Sequence, residues 1–131
     1  MDRSGWIVLA AIAGGSALGG VARHLLTEAV TRMAGAGFPW GTLLVNVLGS
    51  GVIGAAAALS AGSASWTPLA RHAAMTGVLG GFTTFSTFSV QTMALLQQGQ
   101  LGAATANVLL SVLLGVVGCW TAFAAVTALA R

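Results

Sequence analysis

Apolar residues run along this chain in four long stretches, separated by short glycine-rich or polar pieces. The stretches are Gly5–Leu26, Trp40–Leu59, Ala70–Leu96 and Leu101–Leu129. Each reaches the roughly 20 residues of apolar helix that cross the hydrocarbon of a bilayer. Between them lie Gly35-Ala36-Gly37-Phe38-Pro39, Ala61-Gly62-Ser63-Ala64-Ser65 and Gln97-Gln98-Gly99-Gln100. Links this short make neighbouring helices antiparallel. Trp6, Trp40 and Trp66 fall at the predicted helix starts, where amphipathic rings sit at the membrane–water interface. The pattern predicts an all-α membrane protein with four transmembrane helices in a single domain, residues 1–131.

The third stretch is not uniform. It contains Gly80-Gly81-Phe82-Thr83-Thr84-Phe85-Ser86-Thr87-Phe88-Ser89. Paired glycines and a run of hydroxyl residues make a poor helix centre, so a break is expected near Gly80–Thr84. Irregular backbone at membrane depth is tolerated only where protein buries it or a watery cavity adjoins it. The competing expectation is an unbroken helix whose hydroxyls bond back to the preceding turn.

Composition supports lipid as the solvent. Of 131 residues, 56% are hydrophobic and 5% charged, against roughly 25% charged in soluble domains. Arg3, Arg23, Arg32, Arg71 and Arg131 face only Asp2 and Glu28, and lysine is absent. Five scattered arginines form no basic stripe, which excludes a nucleic-acid partner. Arg3 followed by Trp6–Ala13 has a look of a signal peptide, but the apolar run continues past Gly20 and reads as the first membrane helix. Cys119, the single cysteine, sits in an apolar run and reads as a small packing residue. In a four-helix layout Arg3, Arg71 and Arg131 share one side, and Arg32, with or without Arg23, the other. That bias is weak under the positive-inside rule. It suits insertion in both orientations and a homodimer, possible as an antiparallel pair. Glycines at 15 and 19, at 49, 51 and 54, and at 115 and 118 allow close helix approach.

Two helices carry narrow polar stripes. Thr42 and Asn46 are one turn apart, as are Asn107 and Ser111, with Gly115 continuing the second line. Such stripes serve as interhelical glue or mark a pathway; beside a broken helix the pathway is the stronger expectation. No acid lies at membrane depth to pair with a cation or relay protons. Amide and hydroxyl donors suit an anion instead, and a filter for a small anion must replace its hydration shell with compact donors. Phe85 and Phe88 are spaced to turn positive ring edges to such an ion. Ordinary helix packing of Phe82, Phe85 and Phe88 explains the same spacing, and the choice stays open here. Arg23 either snorkels to the interface or draws anions to a vestibule. His24 and His72 have no partners for a metal site. No nucleophile–base set or nucleotide fingerprint appears, so no enzyme is expected.

At these residues the chain resembles the Fluc/CrcB family of fluoride channels. The resemblance rests on Gly19-Gly20-Val21-Ala22-Arg23, on Gly41-Thr42-Leu43-Leu44-Val45-Asn46, and above all on the run from Gly80 to Ser89. It covers essentially the whole chain. It implies an antiparallel, dual-topology homodimer with two fluoride pores in a bacterial inner membrane. It implies passive export of fluoride that enters as neutral HF and is trapped as the anion. By the resemblance, Phe85 and Phe88 edge the fluoride sites and Asn46 is a pore donor. Thr42, Asn107 and Ser111 lie on the polar track, Ser86 and Thr87 in the same pore segment, and Arg23 in the vestibule. Backbone carbonyls of Gly80 and Thr83 would hold a structural sodium ion between subunits. Two departures stand out. Gln91 replaces a glutamate common in the family, and the tyrosine and two serines usual in the last helix correspond to Asn107, Ser111 and Gly115.

Two other readings compete. A small multidrug-type transporter needs a membrane-embedded carboxylate, and Glu28 at the end of helix one is the only glutamate. A structural membrane protein does not need polar stripes or a helix break. An Asn46 or Phe88 substitution that leaves folding intact separates channel from scaffold.

Overall fold

A computed structural model describes residues 2–62 and 66–130. Among the described residues every element is helical: α1 (Arg3–Ala34), α2 (Trp40–Gly62), α3 (Pro68–Arg71), a π-helical stretch (His72–Leu79), α4 (Gly80–Phe82), α5 (Phe85–Gln97) and α6 (Leu101–Leu129). Residues 63–65 of the second predicted link, and Arg131 of the charge count, lie outside the described residues.

Three helices, α1, α2 and α6, are long and apolar enough to cross a membrane. The bounds of α6 coincide with those predicted, Leu101–Leu129. Helix α1 does not stop at Leu26. Its 32 residues make a rod of about 48 Å, longer than the roughly 30 Å hydrocarbon core. The extension is polar on one face: Glu28 pairs with Arg32 at 3.1 Å and lies 3.7 Å from His24. Pairs four residues apart sustain helix in water, where an apolar-run criterion finds nothing to count. The helix begins on Asp2, whose carboxylate accepts from the Gly5 amide at 3.0 Å. It ends at Gly35, whose φ of 83° suits glycine alone.

Two close helix contacts organise the subunit. Helix α1 packs along the π-helical stretch, and α2 along α6. Glycine makes both possible. A side-chain carbon on Gly15 would stand 2.7 Å from the Ala73 carbonyl oxygen, and one on Gly19 would strike the Val78 carbonyl. On α2, a carbon at Gly54 would strike the carbonyl of Cys119, so Cys119 does sit in a helix–helix seam. Backbones this close gain dispersion contact that lipid tails cannot outcompete. Val45 is fully buried, and Leu43, Leu79, Leu95 and Ala104 are buried as well.

The expected break is present, at the hydroxyl end of its window. Thr83 and Thr84 are extended, with φ/ψ of −85°/158° and −152°/120°. Gly80 stays helical at −64°/−36°, so flexibility of the glycine pair is not the cause. Gly81 is there for space: a side-chain carbon would lie 2.5 Å from the Ser16 carbonyl oxygen. The break comes from Thr84 acting as the N-cap of α5, its Oγ1 accepting from the Thr87 amide at 3.2 Å.

Candidate functional site

The break opens a cavity of about 280 Å³ lined by α2, the broken segment and α6. Its polar lining is Asn46, Ser50, Thr83, Thr84 and Ser111; Phe85, Phe88, Leu79, Ile53 and Val112 supply apolar walls. Among the described residues, no charged one lines it.

Asn46 organises this site. Its Nδ2 donates to the Thr84 carbonyl at 2.9 Å, and its Oδ1 accepts from the Thr84 amide at 2.8 Å. The amide thus replaces both partners that an interrupted helix takes from Thr84. In a continuous helix the Thr84 amide would donate to the Gly80 carbonyl; here it turns to α2. Asn46 has one further N–H available to the cavity, because a carboxamide carries two.

The aromatic pair is asymmetric. Phe88 is 9% exposed while Phe85 is 78% exposed. Their ring centres lie 5.4 Å apart and their planes are inclined by 46°. Phe88 therefore walls the cavity within the subunit, and Phe85 stands at its open side. The inclined geometry turns ring edges and faces toward one another, a favourable aromatic arrangement.

The structure gathers Asn46, Phe85, Phe88, Thr83 and Ser111 around one cavity. Other predicted residues lie beside it. Thr42 is buried at 3% exposure one turn before Asn46 and is not in the lining. Asn107 is buried and donates to Thr92 Oγ1 at 2.9 Å, and Thr92 in turn donates to the Phe88 carbonyl at 2.8 Å. This chain ties α6 to the backbone of Phe88. Ser86 and Thr87 occupy the first turn of α5, where the Thr84 hydroxyl meets theirs at 3.3 and 3.1 Å. Arg23 bends back along α1 and donates to the Thr83 carbonyl at 3.5 Å. Side chains on a helix lean toward its N-terminus, which here carries the guanidinium toward the break and away from the nearer helix end. Gly80 is exposed and is not part of the lining.

Two polar lining residues escaped the sequence reading, Ser50 and Thr84. Ser50 is four residues beyond Asn46, so extending the polar stripe one turn would have included it. Thr84 carries the signal of an N-cap three residues before Thr87. Ser111 Oγ is buried without a hydrogen-bond partner, as is Gln91 Oε1. Gln91 lines a second cavity with Phe38, Pro39 and Gln98, toward the α1–α2 loop.

Charge elsewhere is accounted for locally. Glu28 is paired with Arg32 on the exposed end of α1, far from a carboxylate's place in a cation transporter. Arg71 donates to the Ser60 carbonyl at the end of α2, a favourable place for a cation. Among the described residues, no three of His, Cys, Asp and Glu converge as a metal site.

Residues 10–123 match the family described as "CrcB-like protein, Camphor Resistance (CrcB)". Curated relatives carry the name fluoride-specific ion channel FluC. The protein of Opitutus terrae is 51% identical over 111 residues, 83% of this chain and 84% of its own length. That of Geobacter sulfurreducens is 47% identical over 110 residues, 84% of this chain and 89% of its own. That of Nitrobacter winogradskyi is 44% identical over 111 residues, 85% of this chain and 88% of its own. These matches and the apolar helices make the chain a multi-pass membrane protein. Since the matched region runs through α2, the break and most of α6, it takes in the cavity as well as the scaffold, and the chain belongs to the CrcB family.

Proposed function

We propose that this chain is a fluoride-selective ion channel that lets cytoplasmic fluoride leave the cell passively. The observation that carries this reading is the cavity at the helix break: hydroxyl and amide donors, a phenyl wall and no charged residue. The naming of the FluC relatives supports the same ion. A channel is not an enzyme, and no bond changes along the path.

Each part has a task. Fluoride is small and holds water tightly, so a pore must offer compact donors as the shell is shed. The spare N–H of Asn46 and the Ser111 hydroxyl are such donors. Edges of Phe88 and Phe85 carry partial positive charge that attracts without binding irreversibly. The absence of a carboxylate in the lining removes the strongest source of repulsion for an anion. Arg23 raises anion concentration near the break. Thr42 and Asn107 keep the polar track rigid, with Ser86 and Thr87 bracing the first turn of α5.

The subunit would cross the membrane four times, with residues 68–97 as the broken crossing. Two copies would pair in opposite orientations. Phe85 supports pairing, since a phenyl ring 78% exposed beside a polar cavity is a natural place for a second copy to complete the wall. A structural sodium ion fits the residues present. The Gly80 carbonyl has lost its helical donor to Asn46, and the Thr83 carbonyl has lost the Thr87 amide to Thr84 Oγ1, so that Arg23, at 3.5 Å, would have to yield to the ion. Backbone oxygens are the ligands a hard cation prefers. Such an ion would hold the two breaks together and take no part in permeation.

The test is reconstitution in liposomes loaded with fluoride, with efflux followed by a fluoride electrode and chloride-loaded vesicles as control. Fast fluoride loss with little chloride loss is expected. Silence from folded protein overturns the reading.

A further inference from the structure

Several hydroxyls among the described residues bond back to their own helix. Thr31, Thr83, Ser89, Thr92, Thr121 and Thr127 each donate to the carbonyl four residues earlier, at 2.8–3.0 Å. That is the ordinary fate of a hydroxyl in an apolar helix. Two hydroxyls that line the cavity do not follow it. Ser111 Oγ is buried without a partner, and Ser50 makes no hydrogen bond to any described residue, although Asn46 one turn before it does. Both line the cavity at the break. An unpaired hydroxyl away from water is costly; Ser111 carries such a group, and with the half-buried Ser50 on the same cavity wall it asks for an occupant that accepts hydrogen bonds.

Gly115 leaves room beside Ser50. This residue is buried on α6, one turn beyond Ser111. A side-chain carbon added to Gly115 would stand 3.4 Å from Ser50 Oγ, in van der Waals contact with it. So α6 offers no hydroxyl at this level, and α2 offers one across the seam. Asn46 and Ser50, four residues apart, share the face that looks into the cavity.

We propose that Ser50 is a further anion donor of this pathway, supplying from α2 the hydroxyl that α6 lacks at Gly115. With Asn46 and Ser111 it forms a three-donor subsite for a small dehydrating anion. The inference rests on the channel reading and adds to it a residue and a geometric reason for the glycine. It also states that the donor's function is transferable across the seam. What matters is a hydroxyl at that point in the cavity, from whichever helix it comes.

The experiment compares fluoride efflux from liposomes holding wild type, S50A, S50T and S50A/G115S, each checked for monodisperse elution before reconstitution. Loss of one hydrogen bond of about 1.4 kcal/mol slows a rate about tenfold. S50A is therefore expected to run about tenfold slower, with S50T near wild type. S50A/G115S is expected to recover most of the rate, because alanine vacates the room that the new serine needs. A packing role for Ser50 predicts the opposite for the double variant, which adds bulk to a helix seam. An active wild type with S50A at full speed overturns this inference alone. So does a slow S50A that G115S fails to restore. A silent wild type overturns the channel reading and this inference with it.

Discussion

Replacing Asn46 by leucine removes the two hydrogen bonds that hold Thr84 across the break. Thr84 is 9% exposed, so its backbone N–H and C=O would be left with little water to turn to. Each orphaned group costs about 1–3 kcal/mol. The cavity admits some solvent on one side, which places the sum in the lower part of that range, about 2–4 kcal/mol for the pair. This is a sizeable share of the roughly 5–15 kcal/mol that holds a domain folded. Local opening at residues 83–88 should become roughly 30- to 1,000-fold more frequent, at tenfold per 1.4 kcal/mol. Hydrogen–deuterium exchange of detergent-solubilised protein, read by mass spectrometry on peptides covering Thr84, measures this directly. Faster exchange confined to the break and α5, with α1 and α6 unchanged, is the expected pattern. Exchange at Thr84 within about threefold of wild type would refute the argument that Asn46 stabilises the break. An Asn46 substitution separates channel from scaffold only where folding stays intact, and the clamp on Thr84 makes that condition hard to meet, because the same amide that offers a donor to the cavity also holds its wall.

Phe88→Ile is the cleaner separation of channel from scaffold. It should abolish fluoride efflux while costing about 1–2 kcal/mol of stability, checked by efflux and thermal melting on one preparation. Glycines divide by what lies opposite them. Gly19→Ala meets the Val78 carbonyl and should destabilise by about 1–3 kcal/mol. Gly14→Ala has nothing within 4 Å and should be neutral or stabilising by up to about 1 kcal/mol; melting temperatures decide. At the start of α1, the Ser4 hydroxyl and then the Gly5 amide hold the Asp2 carboxyl below its ordinary range. A carboxyl lowered on folding stabilises above its unfolded value, about 3.9. That contribution is lost as pH falls through the lower folded value. Exchange of the Gly5 amide should accelerate across that acidic window and not near neutrality.

The sequence by itself determined the solvent and the element order. Transfer of apolar side chains to lipid depends on each segment's own composition, so four apolar stretches were legible without any knowledge of neighbours. The limits of α6 were readable to the residue because polar Gln97–Gln100 and apolar Leu101 meet abruptly. The break was legible too, since the preference of Thr for an N-cap is local, although the glycine pair that also pointed there stays helical. The end of α1 was not, because hydropathy is silent where helix leaves lipid and ion pairs take over. Only the tertiary structure decided which polar residues meet. Asn46 and Thr84 are 38 positions apart, and no periodicity links them. Thr42 and Asn107 carry the same stripe pattern as Asn46 and Ser111, yet packing buries the first pair beside the cavity and gives it the second. The residue beside the Ser50 hydroxyl is a glycine of another helix, Gly115. Burial and partnership are properties of a pair of surfaces, and a single chain read in order contains only one surface at a time.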